Sequence, residues 1–158
     1  MARPSAGGDN LERTTEGEDM MPTALDPYLN FRDTTREAME FYHGVFGGTL
    51  EMTTFKEFQA SQDPSEDDKI MHSRLEADGI VLMAADTPNH MEYQSGSNVS
   101  MSLSGEDEAR LRDYFNELAA GGRVVQPLEK APWGDTFGML VDRFGIRWLV
   151  NVVQNQPT

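Results

Sequence analysis

Few side chains in this sequence are equipped for chemistry, and the three histidines, His43, His72 and His90, come first. An imidazole titrates near neutrality and can serve as base, proton carrier or metal ligand. Their surroundings differ. His43 falls late in a helical pattern, His90 in a polar stretch, and His72 in the strand-like run Met71-His72-Ser73. His72 is therefore the histidine to watch, either as base or ligand donor, or simply paired with a neighbouring carbonyl or carboxylate. Cysteine is absent, which removes disulfides, thiolate zinc sites and cysteine nucleophiles. There is no nucleophile elbow, phosphate loop or dinucleotide fingerprint.

A second set is defined by alternation. If Asn98 faces the inside of a sheet, Ser100 and Ser102 face the same way, and Arg147, Leu149 and Asn151 share one face of the last strand. Hydroxyls, amides and one guanidinium around an apolar floor suit a small organic ligand, an anion among the options. They suit a water-filled remnant of a site equally well. Trp133 adds a large apolar surface and an indole N–H that wants an acceptor. The candidate ligand-binding residues are thus His72, Asn98, Ser100, Ser102, Trp133, Arg147 and Asn151.

The elements that must position them can be read along the chain. Residues 1–24 are polar and acidic, which predicts a flexible tail. Leu25–Phe31 alternates as a strand, and Thr34-Thr35-Arg36-Glu37 has the spacing of a capping box. Ala38, Phe41, Tyr42, Val45 and Phe46 then recur at helical spacing up to Gly47-Gly48. Strands are predicted at Thr49–Phe58, Lys69–Glu76 and Ile80–Ala85, with Asp78-Gly79 as a hairpin turn. The second half repeats this order. A strand at Asn98–Leu103 leads to a helix capped within Ser104–Asp107 and striped by Leu111, Tyr114, Phe115 and Leu118. That helix stops at Gly121-Gly122, and strands follow at Arg123–Leu128, Phe137–Val141 and Ile146–Val153. The pattern is βαβββ twice, and an internal duplication explains it, because neither half could bury its sheet face alone. The reading is one α+β domain over residues 25–158, with modules at about 25–86 and 97–153.

Net charge is −14, from 27 acidic and 13 basic residues. Such a surface repels phosphate backbones and anionic membranes, so neither nucleic acid nor membrane is expected as a partner. No apolar run reaches the roughly 18 residues of a membrane span, and the first residues lack an apolar signal core. A cytoplasmic protein is expected.

Several local motifs point further. Pro27-Tyr28-Leu29-Asn30-Phe31, Ala38-Met39-Glu40-Phe41-Tyr42, Val45-Phe46-Gly47-Gly48 and Met71-His72 occur in order. Trp133-Gly134, Phe137-Gly138, Asp142-Arg143-Phe144-Gly145 and Trp148-Leu149-Val150-Asn151 follow. Together with the paired modules, over roughly residues 25–157, they resemble the PhnB-like branch of the vicinal-oxygen-chelate superfamily, which contains glyoxalases, bleomycin-resistance proteins and extradiol dioxygenases. The resemblance implies a cup-shaped mixed sheet with helices on its outer face, and a homodimer. Both modules would pair into one continuous cup, with Phe41, Tyr42, Val45, Phe46, Leu111, Phe115 and Leu118 buried.

Many relatives hold a divalent metal in that cup with His, Glu or Gln from four strands. Matched strand to strand, the four positions fall on Pro27, on Leu82 or Met83, on Asn98 and on Leu149. Proline, leucine and methionine offer no oxygen or imidazole donor, so no metal and no other cofactor is expected. The leading expectation is a metal-independent binder of a small organic molecule. The alternative is an enzyme of the same superfamily, using metal bound unusually through His72 or acid–base chemistry without metal. A domain that binds a regulatory partner through a sheet edge or the acidic tail is the third possibility. Fold alone does not choose between these.

Overall fold

The computed structural model describes residues 22–154, so most of the expected tail, residues 1–21, lies outside the described residues. The first module runs β1 (Tyr28–Phe31), α1 (Thr35–Phe46), β2 (Thr49–Thr54), a 3-10 turn (Pro64–Glu66), β3 (Ile70–Ala77) and β4 (Ile80–Asp86). The second runs β5 (Met101–Gly105), α2 (Glu108–Ala119), β6 (Arg123–Lys130), β7 (Thr136–Val141) and β8 (Arg147–Val152). Each module forms a four-stranded mixed sheet, in the orders β1-β4-β3-β2 and β5-β8-β7-β6. The duplicated βαβββ order and the α+β class are as expected.

The duplication extends to backbone detail. Gly47 and Gly121 end the two helices at φ 71° and 79°, a region that glycine enters without steric cost. The glycine after each packs against the end of a neighbouring strand. A Cβ on Gly48 would strike the Glu76 carbonyl, and one on Gly122 the Val141 carbonyl. Both Gly-Gly pairs therefore combine a helix stop with a close approach to the third strand of the module.

The capping box is corrected. Thr34 makes no side-chain cap bond. Instead the Thr35 N–H donates to Asp86 Oδ1 at 3.1 Å and the Ile70 N–H to Asp86 Oδ2 at 2.9 Å. A buried carboxylate at the end of β4 satisfies a free donor of α1 and matches the positive end of its dipole. At α2 the cap lies within the expected segment, with the Arg110 N–H donating to Asp107 Oδ1 at 3.1 Å.

Both sheets bury the face that carries a helix. Leu29, Phe31, Leu50, Met52, Leu75, Leu82 and Ala84 face α1, while Met101, Leu103, Leu140, Trp148, Val150 and Val152 face α2, all in one hydrophobic core. Helix α1 packs on both sheets' contents at once. Tyr42 and Phe46 lie with ring centroids 5.8 and 5.7 Å from that of Trp148 in β8, and Phe46 is 4.9 Å from Tyr114 of α2. Tyr42, Phe46, Leu111, Phe115 and Leu118 are buried as expected. Phe41 and Val45 are only half-buried against the core, and the Arg143 guanidinium covers the Phe41 ring at 4.4 Å. Met39 is fully buried.

The join between modules differs from one continuous sheet. Among the described residues, strands hydrogen-bond only within their own module, and the modules meet through their helix-bearing sides. The joint centres on Asp142 in the β7–β8 turn. It accepts from Tyr42 Oη at 2.6 Å, Trp148 Nε1 at 2.8 Å, Phe144 N at 2.8 Å and Ile146 N at 3.1 Å. Burial, then the charge and hydrogen bond of Asp142, push the Tyr42 phenol well above the ordinary tyrosine range.

Candidate functional site

Because the helix-bearing faces share one core, the opposite face of each sheet points outward. On the first sheet strand pairing places Tyr28 opposite Met83, Asn30 opposite Ala85, Arg74 opposite Met83 and Thr53 opposite His72. These residues alternate with the buried set, so all share the open face. On the second sheet the open face carries Ser102, Ser104, Arg147, Leu149 and Asn151, with Met139 opposite Leu149 and Phe137 opposite Asn151.

Among the described residues the hydrogen-bond partner of His72 is a phenol, not a carbonyl or a carboxylate. The His72 Nδ1 lies 3.2 Å from Tyr28 Oη, and the two rings lie 5.9 Å apart. Tyr28 was not among the expected site residues, although its alternation with Asn30 signalled the same face. Partial burial raises its phenol above the ordinary value, so it holds its proton at neutral pH. A neutral phenol hydrogen-bonded to an imidazole at a half-open sheet surface can pass a proton to or from a bound group.

Arg147, Leu149 and Asn151 share one face of β8, and Ser102 of β5 lies on the same open face. Asn151 Nδ2 donates to Asp135 Oδ2 at 3.1 Å, and Asp135 also accepts from the Gln154 N–H. Asn98 and Ser100 differ from expectation. The strand begins at Met101, and both residues are exposed ahead of it. Trp133 is not buried: it is 62% exposed, whereas Trp148 is 3% exposed and bonded to Asp142. Trp133 stands edge-on to Phe137, ring centroids 5.6 Å apart. Together with Gln126, Glu129, Lys130, Ala131, Pro132 and Met139 they line a groove of about 320 Å³. Phe137 and Met139 lie in the strand expected at Phe137–Val141 but carry no polar group that would mark them as site residues. A second recess, of about 360 Å³, lies between the β3–β4 turn and α2. Arg110 crosses it, held by Tyr114 Oη at 2.7 Å and Asp78 at 3.8 Å.

The metal positions of the resemblance can be tested on the geometry. Leu82 lies in the buried core, so Met83 is the residue of that pair on the open face, beside Tyr28. Leu149 is also on an open face, and Asn98 lies outside β5. Among the described residues no three His, Asp or Glu side chains gather as a metal-holding group. This donor set does not fit a divalent metal at the usual place. His43 bonds the Gly48 carbonyl at 3.0 Å and serves the helix end; His90 is exposed. Among the described residues no helix is long and apolar enough to cross a membrane.

Two four-stranded βαβββ sheets, each with a helix on one face, define the glyoxalase/bleomycin-resistance fold. The fosfomycin-resistance protein FosX of Listeria monocytogenes shares it, at TM-score 0.58 and 10% identity over 85% of this chain and 96% of that one. A family model described as 3-demethylubiquinone-9 3-methyltransferase matches residues 23–151, and the chain belongs to this family, the PhnB-like branch of the vicinal-oxygen-chelate superfamily. Protein YjdN of Escherichia coli is 29% identical over 146 residues, 85% of this chain and 98% of that protein. Protein PA1353 of Pseudomonas aeruginosa superposes at TM-score 0.71 with 40% identity, covering 82% of this chain and 97% of that one. The PhnB protein of Bacillus cereus superposes at TM-score 0.67 with 23% identity, over 82% and 98% of the two chains.

Proposed function

We propose that this protein binds a small organic molecule on the open faces of its sheets, without a metal, and that a second copy of the chain closes the site. One observation carries the reading. The modules spend their helix-bearing faces on each other, which leaves Tyr28 and His72 on one outward face and Arg147, Leu149 and Asn151 on another. A single chain therefore presents two half-cups that cannot face each other. Each is floored by half-buried apolar side chains, Met83 on one and Met139 and Leu149 on the other, as a largely apolar ligand site requires. A two-fold pair of chains brings unlike half-cups together twice, and two-fold closure is the commonest symmetry. The edge strand β2, guarded mainly by Glu51, gains cover in the same step.

Light scattering across a salt series tests the assembly. The expected mass is that of two chains, with association strengthening as salt screens the −14 charge. A mass near one chain at every salt and at micromolar concentration sinks the shared site. Metal analysis after dialysis tests the chemistry, since stoichiometric Zn, Ni, Mn or Fe contradicts metal-free binding. A thermal-shift screen of small organic molecules should yield a ligand that stabilises in proportion to occupancy.

The Tyr28–His72 hydrogen bond favours a second reading, metal-free acid–base catalysis at the same site. It predicts that a stabilising ligand is converted by the protein, and that His72→Gln binds the ligand but does not convert it.

A further inference from the structure

The open face of the second sheet is electrically polarised, and we infer that it seats an elongated organic anion with its acid group between Arg123 and Arg147. This deepens the binding reading above and rests on it. Val141 at the end of β7 is paired with Arg123 of β6 on one side and with Arg147 of β8 on the other. Directly paired residues of antiparallel strands share a face, so both guanidiniums stand on the open face, their backbones about 10 Å apart across three strands. Among the described residues neither arginine has a carboxylate, hydrogen-bond or aromatic partner, whereas Arg74, Arg110 and Arg112 pair with carboxylates, Arg32 and Arg36 bond carbonyls and Arg143 covers Phe41. Both side chains are thus left uncommitted on either side of Val141. A planar guanidinium pair fits a carboxylate or a phosphoryl group, which takes two parallel N–H donors from each fork.

The other end of the same face fixes the ligand's direction. Phe137 lies four residues from Val141 along β7, about 13 Å away at strand rise. There Glu129 is opposite Phe137 and Asp135 holds Asn151, with Lys130 also lining the groove, so this end sets two acids against one base where the other end carries two arginines. Between the ends lie Met139 and Leu149, directly opposite each other. At the far end the Trp133–Phe137 pair offers an aromatic edge and an exposed indole. The ligand class is therefore an acid joined through an apolar body to a flat or aromatic group roughly 10 Å away. Short acids would reach only one end.

Calorimetric titration of the full chain with ω-phenylalkanoates, from phenylacetate to phenyloctanoate, tests this against the matching primary amides. Affinity should climb with chain length through the middle of the series, and each longer acid should bind at least about tenfold tighter than its amide. Phenylalkyl phosphates form a second arm, and a preference for one series over the other names the acid group. Arg123→Gln/Arg147→Gln should erase the acid preference while leaving the melting temperature and the mass of the assembly unchanged. Binding should also shift Trp133 emission to the blue, a change absent in Trp133→Phe because Trp148 is already buried. Equal binding of acid and amide, or an acid preference that survives the double variant, overturns the anion seat and leaves small-molecule binding standing. If the double variant changes the assembly mass, the arginines pair with a second chain and the inference fails. If no acid binds in either arm the inference also fails, while the broader reading falls only when the unbiased screen is blank as well.

Discussion

Asp142→Ala is the sharpest perturbation of this structure, because one carboxylate ties the first module's helix to the second module's last turn. The side chain is 3% exposed and accepts from Tyr42 Oη, Trp148 Nε1 and the Phe144 and Ile146 amides. Leaving a buried donor unpaired costs about 1–3 kcal/mol, so four stranded donors would cost about 4–12 kcal/mol. Removing a buried charge returns several kcal/mol of desolvation, and local water can reach some of the donors. A net loss of about 3–5 kcal/mol is expected. Tyr42→Phe removes one charge-assisted bond and should cost about 1.5–3 kcal/mol. Typical domains are stable by about 5–15 kcal/mol, so the alanine variant stands near the limit of folding. Urea unfolding at neutral pH measures both variants, with the slope compared to confirm that the same surface is exposed. The double variant Tyr42→Phe/Asp142→Ala should cost less than the two single losses added together, because the tyrosine acts through the carboxylate. An Asp142→Ala loss below about 1 kcal/mol at unchanged slope, or strict additivity with Tyr42→Phe, would refute the assignment of this residue as the joint between modules.

Alkaline pH probes the same contact. The folded state raises the Tyr42 phenol above its unfolded value near 10, so its stabilisation is complete below that pH and is lost as pH rises beyond it. Melting temperatures measured from pH 8 to 11 should fall less steeply in Tyr42→Phe than in the parent, and identical slopes would contradict the raised phenol. Gly138→Ala should cost about 2 kcal/mol or more by urea titration, since a Cβ there would lie 2.8 Å from the Phe115 ring and 2.9 Å from the Leu128 backbone. A neutral result would mean that α2 can lift from β7 without cost. Deleting residues 1–24 should leave the melting temperature within a degree or two, because the next side chain, Leu25, is fully exposed. A drop of several degrees would show that the acidic segment packs on the domain.

The order of elements was legible because it rests on local periodicity. The stripe from Ala38 to Phe46, the apolar run Ile80–Ala85 after its Asp78-Gly79 turn and the repeated Gly-Gly stops are set by neighbours within a few positions. Strand alternation likewise grouped Arg147, Leu149 and Asn151 on one face before any pairing was known. The errors came where contacts cross long separations. Thr34 has the spacing of a cap, yet Asp86 does the work from the end of β4, across the sheet. Asn98 and Ser100 continue the alternation of Ser102, but the pairing of β5 with β8 starts only at Met101–Trp148, and both residues lie exposed ahead of it. Trp133, expected at the site, sits ahead of β7 and is largely exposed beside Phe137, a neighbour that no local pattern specifies.

Sequence by itself determined two βαβββ modules with one apolar face each and a family resemblance strong enough to name the branch. Given the positions that the resemblance implies, it also placed Pro, Leu or Met at three of the four, side chains without an oxygen or imidazole donor. Tertiary structure decided which faces the modules spend on each other. Tyr42 and Asp142 are 100 positions apart, and their 2.6 Å bond ties α1 to the β7–β8 turn of the other module. Periodicity says that a face is apolar, but not which other face covers it. The covering is a choice among long-range packings of similar area, settled by the fit of a few buried polar groups and aromatic rings. That choice sends Arg123, Arg147 and the Tyr28–His72 pair to outward-facing sheets, where a ligand and a second chain can reach them.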